Sequence, residues 1–229
     1  MSLFLSFRSA AALMLGLSIT AARADYATTF TTPPYTVDQS VIGVDGWEYR
    51  LPPTTEDSHK ARVVAVRWND YQPAMMMKGA NLKRPVPQTT GGKVRITFDL
   101  AVNFSETGGS LKQFRVGFVG APCGEIFMDL SGEGGLGYQA DGSGRGGVVA
   151  LKKAEVKINS FYKFTVVVDY TKMTYDLTIT GVRKDDTAFH HKAEGLPFEA
   201  KAKGVSMIYI LSGGALTAYL GSLSIQSES

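Results

Sequence analysis

The chain of 229 residues contains a single cysteine, three histidines and almost no excess of charge of either sign. One cysteine cannot make an intramolecular disulfide framework or supply a cysteine-rich zinc cluster. The 24 Lys and Arg residues face 21 Asp and Glu residues, and no basic run is interleaved with aromatic residues, so nucleic acid is a poor partner. With 44% hydrophobic and 20% charged residues, the chain can nevertheless bury a core, which excludes a disordered polymer.

Residues 1–24 are interpreted as a signal peptide. Arg8 precedes an apolar stretch at 10–19 that is too short to span a bilayer, and Ala22-Arg23-Ala24 has the small residues that signal peptidase accepts. We expect cleavage before Asp25, and the alternatives are an uncleaved membrane anchor or a buried first helix. The sequence therefore predicts an exported protein, either secreted or periplasmic.

Residues 25–229 are expected to form one mature domain, since no internal repeat and no linker divides them. No apolar run after residue 24 approaches the roughly 20 residues that a membrane helix needs, so no transmembrane segment is expected. Cys123 would be an unpaired thiol in an oxidising compartment, and burial is favoured over reactivity for it.

Apolar residues of the mature chain recur with a period of two, which predicts strands. In the clearest run, 93–104, polar or small residues alternate with Val94, Ile96, Phe98, Leu100, Val102 and Phe104. Further strands are predicted over Arg62–Trp68, Phe114–Val119, Glu125–Leu130, Val148–Leu151, Glu155–Ile158, Phe161–Tyr170, Tyr175–Thr180, Ser206–Leu211 and Leu220–Ile225. The segment Gly132–Gly147 has eight glycines in sixteen residues and is expected to be a loop or two tight turns.

So many short strands, with no long helix candidate between them, need two packed sheets, because a single open sheet would leave one apolar face in water. The runs at 161–170 and 175–181 flank Thr171-Lys172-Met173 and are interpreted as two long antiparallel neighbours. The residues alone thus predict an all-β, two-sheet antiparallel sandwich.

Segment 39–47, Gln-Ser-Val-Ile-Gly-Val-Asp-Gly-Trp, and the hairpin of 161–169 with 174–181 resemble parts of one known superfamily. They are similar to the glutamine-then-Gly-Trp opening and the late β-branched hairpin of concanavalin A-like, laminin-G-like jelly-roll sandwiches from exported bacterial proteins. Arg62–Trp68 resembles the strand that follows the opening. The resemblance covers residues 35–227 and implies a jelly-roll fold. Because members include lectins, carbohydrate-binding modules, glycoside hydrolases and polysaccharide lyases, it implies a glycan partner without selecting a reaction.

Glycoside hydrolysis is disfavoured by the spacing of the carboxylates. Laminarinase-type members of the superfamily use Glu-x-Asp-x-Glu on one strand, which sets the carboxylates about 6.6 Å apart. Here Phe127 stands where the central acid is needed. Glu125 and Asp129 would lie about 13 Å apart along a strand, beyond the roughly 5–9.5 Å over which a glycosidase pair works. A solvated strand face is favoured for both.

A polysaccharide lyase is the enzyme alternative, with a tyrosine as its base. His59 lies in a polar stretch typical of a surface loop, and His190 and His191 should point to opposite faces of a strand. Tyr162-Lys163-Phe164 resembles part of a lyase strand, but the Gln and Gly that complete the family pattern are missing. No catalytic residue is therefore assigned.

No cofactor and no metal site are predicted. Asp141–Gly146 imitates the start of a calcium loop, but Arg145 stands where an oxygen ligand should be, and no Glu closes the pattern. A structural Ca²⁺ would suit a jelly roll, although the sequence names no ligands for it. Met75-Met76-Met77 would alternate along a strand, which favours core packing over a soft-metal site.

A carbohydrate-binding site requires fewer specific side chains than a catalytic site. Sugar rings stack on aromatic faces, and their hydroxyls are held by planar polar side chains. The segment 67–71 leaves a predicted strand for a loop. It offers two aromatic residues for stacking with three polar residues beside them: Trp68, Tyr71, Arg67, Asn69 and Asp70. Residues on predicted polar strand faces complete the candidate set: Arg95, Arg115, Glu125 and Asp129. The alternative for these is a solvated face of weak ion pairs, and Trp47 is expected to be buried.

These observations favour an exported, non-catalytic carbohydrate-recognition or surface-interaction domain with a polysaccharide or glycan as its partner. The alternatives are a lyase or hydrolase acting on the concave sheet, and a structural envelope protein. An enzyme should gather a Tyr or His, a carboxylate and an Arg in one cleft, whereas a binding domain needs only exposed aromatic and polar groups. A structural protein should show a flat apolar patch or an open sheet edge.

Overall fold

A computed structural model describes the parts of the chain that build the strands. The described residues are 25–51, 61–66, 73–89, 92–103, 113–119, 128–131, 135–139, 148–150, 157, 159–197, 204–212 and 217–228. Within these ranges the chain forms 15 strands and no helix. No helix in this part of the chain is long and apolar enough to cross a membrane. The predicted signal peptide, Cys123 and the calcium-like segment lie outside the described residues.

The strands form two antiparallel sheets. Sheet A contains β1 (Tyr26–Thr29), β3 (Ala61–Val64), β4 (Ala74–Lys78), β6 (Lys93–Asn103), β11 (Tyr162–Asp169), β12 (Thr174–Val182), β13 (Ala188–Pro197) and β15 (Thr217–Glu228). Sheet B contains β2 (Glu48–Tyr49), β5 (Asn81–Pro85), β7 (Gln113–Val119), β8 (Met128–Ser131), β9 (Gly135–Gln139), β10 (Val148–Ala150) and β14 (Met207–Ser212).

The order of the strands is that of a jelly roll, because strands far apart in sequence lie side by side. Sheet A runs β13-β12-β11-β6-β15-β4-β3, with β1 also paired to β15, and sheet B runs β10-β9-β8-β7-β14-β5-β2. The predicted all-β, two-sheet antiparallel sandwich is therefore confirmed.

Side chains from both sheets meet in one core, as the period of two predicts. Val94, Ile96 and Phe98 of β6 are all 0% exposed, and the ring of Phe98 stacks on that of Phe164 with centroids 4.8 Å apart. The predicted strand run is thus confirmed where it is described. Its last two apolar positions lie in a part whose side chains are not described.

The expectations for Trp47 and for the methionine run are also confirmed. Trp47 is 0% exposed, and its indole nitrogen donates a hydrogen bond to the Tyr35 hydroxyl at 3.1 Å. Met75 and Met77 are 0% exposed in the core, whereas Met76 points to the other face of sheet A and pairs with Tyr219.

The predicted long hairpin is formed by β11 and β12, which pair from Asp169 opposite Thr174 to Lys163 opposite Thr180. Its turn is held by the Asp169 carboxylate, which accepts hydrogen bonds from the backbone nitrogens of Thr171 and Lys172 at 3.0 and 2.9 Å. These bonds favour the charged form and lower the pKa of Asp169.

Three sequence expectations were wrong. The glycine-rich segment at 132–147 contains strand β9. Backbone pairing with β8 and β10 stabilises this strand, although glycine has no side chain that could stabilise it by packing. The strand predicted over Arg62–Trp68 ends at Val64. Lys157, the one described residue of the strand predicted at 155–158, lies outside any strand.

Candidate functional site

The outer face of sheet A, opposite the core, carries two parallel rows of mostly polar side chains. Each row crosses β1, β15, β6, β11, β12 and β13 in register. The first row consists of Thr29, Ser222, Asp99, Lys163, Thr180 and His190. The second row consists of Ala27, Ser224, Thr97, Thr165, Thr178 and Lys192. We call these twelve positions the hydroxyl face, because seven of them are Thr or Ser.

The hydroxyl face is long enough for an extended ligand. Neighbouring strands lie about 4.8 Å apart, so a row that crosses six strands spans about 24 Å. Thr97, Thr165 and Thr178 occupy the middle of the second row on adjacent strands and are half-buried in their strand faces. Their β-branched side chains are stiff, which fixes the hydroxyls in a regular array.

The hydroxyl face contains few charged side chains, and only some of them bond to other side chains among the described residues. Asp99 is 3% exposed and accepts a hydrogen bond from the Ser222 hydroxyl. Its register partner Lys163 is exposed, as is His190 at the end of the row. Among the described residues, neither Lys163 nor His190 takes part in an ion pair, whereas Lys192 pairs with Glu194 at 2.6 Å. Lys163 and His190 are therefore the groups best placed to donate to a ligand.

Arg95, from the predicted binding set, lies on the same side of sheet A, one row beyond the hydroxyl face. Its Nε donates to the Glu228 carboxylate at 2.5 Å, and both side chains are partly exposed. Such a pair contributes roughly 0–1 kcal/mol to folding. At this position the structure matches the alternative of a solvated ion pair, and Arg95 as a ligand-binding residue stays a prediction.

The predicted recognition loop begins beside the hydroxyl face. Val66, the last described residue before it, is 5% exposed and clusters with Ala74, Ala101 and Phe161 on the outer side of sheet A. Ala101 lies in β6 two residues beyond Asp99. The five predicted loop residues, Arg67, Trp68, Asn69, Asp70 and Tyr71, lie outside the described residues and stay predictions.

Two of the remaining predicted binding positions, Arg115 and Asp129, belong to the other sheet. Arg115 in β7 is paired with Asp129 in β8 and with Leu211 in β14, all within sheet B. Glu125 lies outside the described residues. Arg95 and the Arg115–Asp129 pair therefore belong to different sheets, so the predicted polar positions do not form one cluster.

His190 and His191 point to opposite faces of their strand, as predicted, and Tyr162 lies deeper than expected for a base, whereas His59 lies outside the described residues. His190 is exposed on the outer side, whereas His191 points inward and its ring lies 5.5 Å from that of Tyr138. Burial, and next the neighbouring His190, lower the pKa of His191. Tyr162 is 2% exposed, and its hydroxyl donates to the carbonyl of Val182 at 2.6 Å. Since burial also raises its pKa, Tyr162 is a structural residue.

A second polar cluster closes the edge of the sandwich around Asp45. One oxygen of the Asp45 carboxylate accepts hydrogen bonds from the hydroxyls of Tyr35 at 2.9 Å and Tyr26 at 3.2 Å. The other oxygen accepts from the Arg84 guanidinium at 2.9 Å. Arg84 points toward the core, and its guanidinium lies 3.8 Å from the centre of the Tyr26 ring. We call these four residues the Asp45 cluster.

The Asp45 cluster combines the three side-chain types expected of a lyase, but their chemical states do not suit proton abstraction. Burial raises the pKa values of both Tyr26 and Tyr35, so neither phenol is a base near neutral pH. The Arg84 guanidinium already holds Asp45, the Pro85 carbonyl and the Tyr26 ring, so it is not free to neutralise a substrate carboxylate. The cluster therefore fits a structural or binding role.

Neither the hydroxyl face nor the Asp45 cluster is predicted by the sequence. The sequence shows that Thr97, Thr165 and Thr178 alternate with apolar residues and so lie on the polar faces of their strands. It does not show that the three lie side by side, because this depends on how the strands pair. Leu82 and Arg84 have the same phase in β5, and nothing in the sequence shows that an arginine faces the core. No group of three His, Cys, Asp or Glu residues that could hold a metal occurs in the described ranges.

Comparisons with known proteins define the fold. No protein-family model and no curated protein sequence matches the chain. The structure is similar to the marine PL-14 alginate lyase from Aplysia kurodai, with a TM-score of 0.55, 10% identity and coverage of 90% of this chain and 100% of that one. It is also similar to the metal-free lectin I-B4 from Griffonia simplicifolia, with a TM-score of 0.51, 11% identity and coverage of 89% and 100%.

A carbohydrate esterase from the Shiga toxin-encoding bacteriophage phi24B is a third similar structure, with a TM-score of 0.50, 10% identity and coverage of 91% of this chain and 100% of that one. At such low identity these similarities establish architecture and not activity. The protein is a two-sheet, antiparallel jelly-roll sandwich.

Proposed function

We propose that the protein is an exported, non-catalytic carbohydrate-binding domain that holds an extended glycan on the hydroxyl face. The observation that carries this proposal is the pair of in-register rows across six strands of sheet A. The lectin and the carbohydrate esterase among the similar structures agree with a ligand of this class. Export rests on the predicted signal peptide.

The chemistry of the hydroxyl face suits a sugar chain better than an apolar or highly charged partner. Each Thr or Ser hydroxyl donates one hydrogen bond and accepts others, so it can match a sugar hydroxyl in either role. Lys163 adds a donor within the first row, beside Asp99, and His190 adds one at the end of that row. The regular spacing allows successive sugar units to meet equivalent partners, and many weak bonds then add up to a usable affinity.

A catalytic role for the hydroxyl face is disfavoured by distance. Asp99 and His190 are separated by two intervening strands, which places them about 14 Å apart, too far for both to act on one bond of a substrate. Asp99 is also buried and already bonded to Ser222. Binding without turnover is therefore the function that the geometry supports best.

A glycan array probed with the mature protein, followed by an absorbance assay for unsaturated uronates on each glycan that binds, tests this proposal. We expect binding to one class of extended oligosaccharides and no increase in absorbance. An increase in absorbance would replace the proposal with a lyase. If no glycan on the array binds, the result would contradict glycan binding and favour a structural envelope protein.

A further inference from the structure

We infer that the pocket beside β1 binds the terminal sugar of the glycan, so that the protein recognises a chain end. This inference rests on the proposed function and adds a site that the hydroxyl face alone does not contain. The pocket has a volume of about 290 Å³. Its lining combines Thr28, Thr29 and Thr32 with Pro33, Pro34 and Asp45.

The pocket is continuous with the hydroxyl face. Ala27 and Thr29 line the pocket and also stand at the β1 ends of the second and first rows. A glycan that follows either row towards β1 would therefore arrive at the pocket mouth. The volume lies just below the range of drug-sized ligand pockets, about 300–1,000 Å³, which suits a single sugar ring.

The polar groups of the pocket select a neutral hydroxyl donor. The Asp45 carboxylate is 29% exposed, and each of its oxygens can accept two hydrogen bonds. One oxygen holds both phenols of the Asp45 cluster, whereas the other holds, among the described residues, only Arg84 and keeps one acceptor position. Because Arg84 already balances the charge of Asp45, the ligand does not need to be a cation.

The apolar part of the pocket lining suits the C–H face of a sugar ring. Pro33 and Pro34 are exposed and form a wall without hydrogen-bond donors. A pyranose presents C–H groups on its ring face and hydroxyls at its edge, so it can lie against the prolines while it donates to Asp45. The exposed hydroxyls of Thr29 and Thr32 can serve the remaining sugar oxygens, whereas Thr28 is buried.

An NMR titration of the ¹⁵N-labelled mature protein with the methyl glycosides of glucose, galactose and mannose tests the inference directly. We expect at least one of them to shift the amide signals of Ala27, Thr29 and Thr32 in a saturable manner at millimolar concentration. If none of the three shifts these signals, the pocket is not a sugar site and the inference is wrong.

A pocket-filling variant separates this site from the hydroxyl face. Thr32 is exposed, so Thr32→Trp should fill the pocket without disturbing the core, and Thr36→Trp is the matched control because Thr36 is exposed outside the pocket. We expect Thr32→Trp to abolish the methyl glycoside shifts and to weaken an array-positive oligosaccharide at least tenfold, about 1.4 kcal/mol. Thr36→Trp should do neither.

The possible outcomes distinguish the two proposals. If the oligosaccharide binds the hydroxyl face equally well in wild type and Thr32→Trp, chain-end recognition is wrong and the proposed function stands. If a methyl glycoside occupies the pocket but no glycan on the array binds, the pocket stands as a sugar site and the proposed function of the hydroxyl face is wrong.

Discussion

Asp45→Ala is expected to lower the free energy of unfolding by about 3–5 kcal/mol, because it leaves a buried charge and two buried phenols without their acceptor. The Arg84 side chain is 11% exposed, so its guanidinium cannot turn to bulk water when Asp45 is removed. Tyr26 and Tyr35 each lose the carboxylate to which they donate. Urea unfolding, followed by tryptophan fluorescence, measures the loss, since Trp47 bonds to Tyr35 inside the same network.

Glu48→Ala is the matched control for this result. Glu48 also pairs with a cation of β5, Lys83 at 3.2 Å, but the two side chains are 57% and 34% exposed. Removing an exposed partner should change the stability by less than about 1 kcal/mol. If Asp45→Ala were no more destabilising than Glu48→Ala, the Asp45 cluster would not hold the edge of the sandwich closed.

The triple variant Thr97→Val, Thr165→Val and Thr178→Val is expected to weaken glycan binding about 100-fold. Each lost hydroxyl removes hydrogen bonds worth about 0.5–1.5 kcal/mol, and the three positions are adjacent along one row. Valine keeps the β-branched shape that strands favour, so the fold should be retained. Isothermal titration calorimetry with an array-positive oligosaccharide measures the change, and thermal melting verifies the fold.

The corresponding triple serine variant provides the control, because serine keeps the hydroxyl and removes only the methyl group. We expect it to bind within a few-fold of wild type, although its melting temperature will fall with the loss of β-branched side chains. Unchanged affinity in the valine variant would show that the hydroxyl face is not the binding surface.

The sequence predicts the fold best where a single strand contains the whole alternating pattern. The alternation from Val94 onward predicts β6 and its buried face, because strand geometry alone decides which side chains share a face. The sequence predicts the β11–β12 hairpin equally well, since the two strands and the turn at Asp169 are consecutive in the chain. Strand β9 escaped prediction because its pairing with β8 and β10 is a property of the neighbours and not of its own glycine-rich sequence.

The candidate site was less predictable, because it depends on register between strands that are distant in sequence. Ser222, Asp99 and Lys163 become one row only after β15 and β11 pair with β6 on either side. The Asp45 cluster likewise joins the turn that contains Asp45 to Arg84 of β5, 39 residues away. Trp68 and Tyr71 are predicted from a local sequence pattern, and they remain predictions for the segment that follows Val66.

The most direct test of the central claim is to map where a glycan lies on the folded protein. An array-positive oligosaccharide should be titrated into ¹⁵N-labelled protein while the amide signals of both sheets are followed. We predict shifts concentrated at Thr97, Thr165 and Thr178 and extending across the hydroxyl face. Shifts confined to the outer side of sheet B, around Lys83 and Tyr209, with the threonine signals unchanged, would contradict the account.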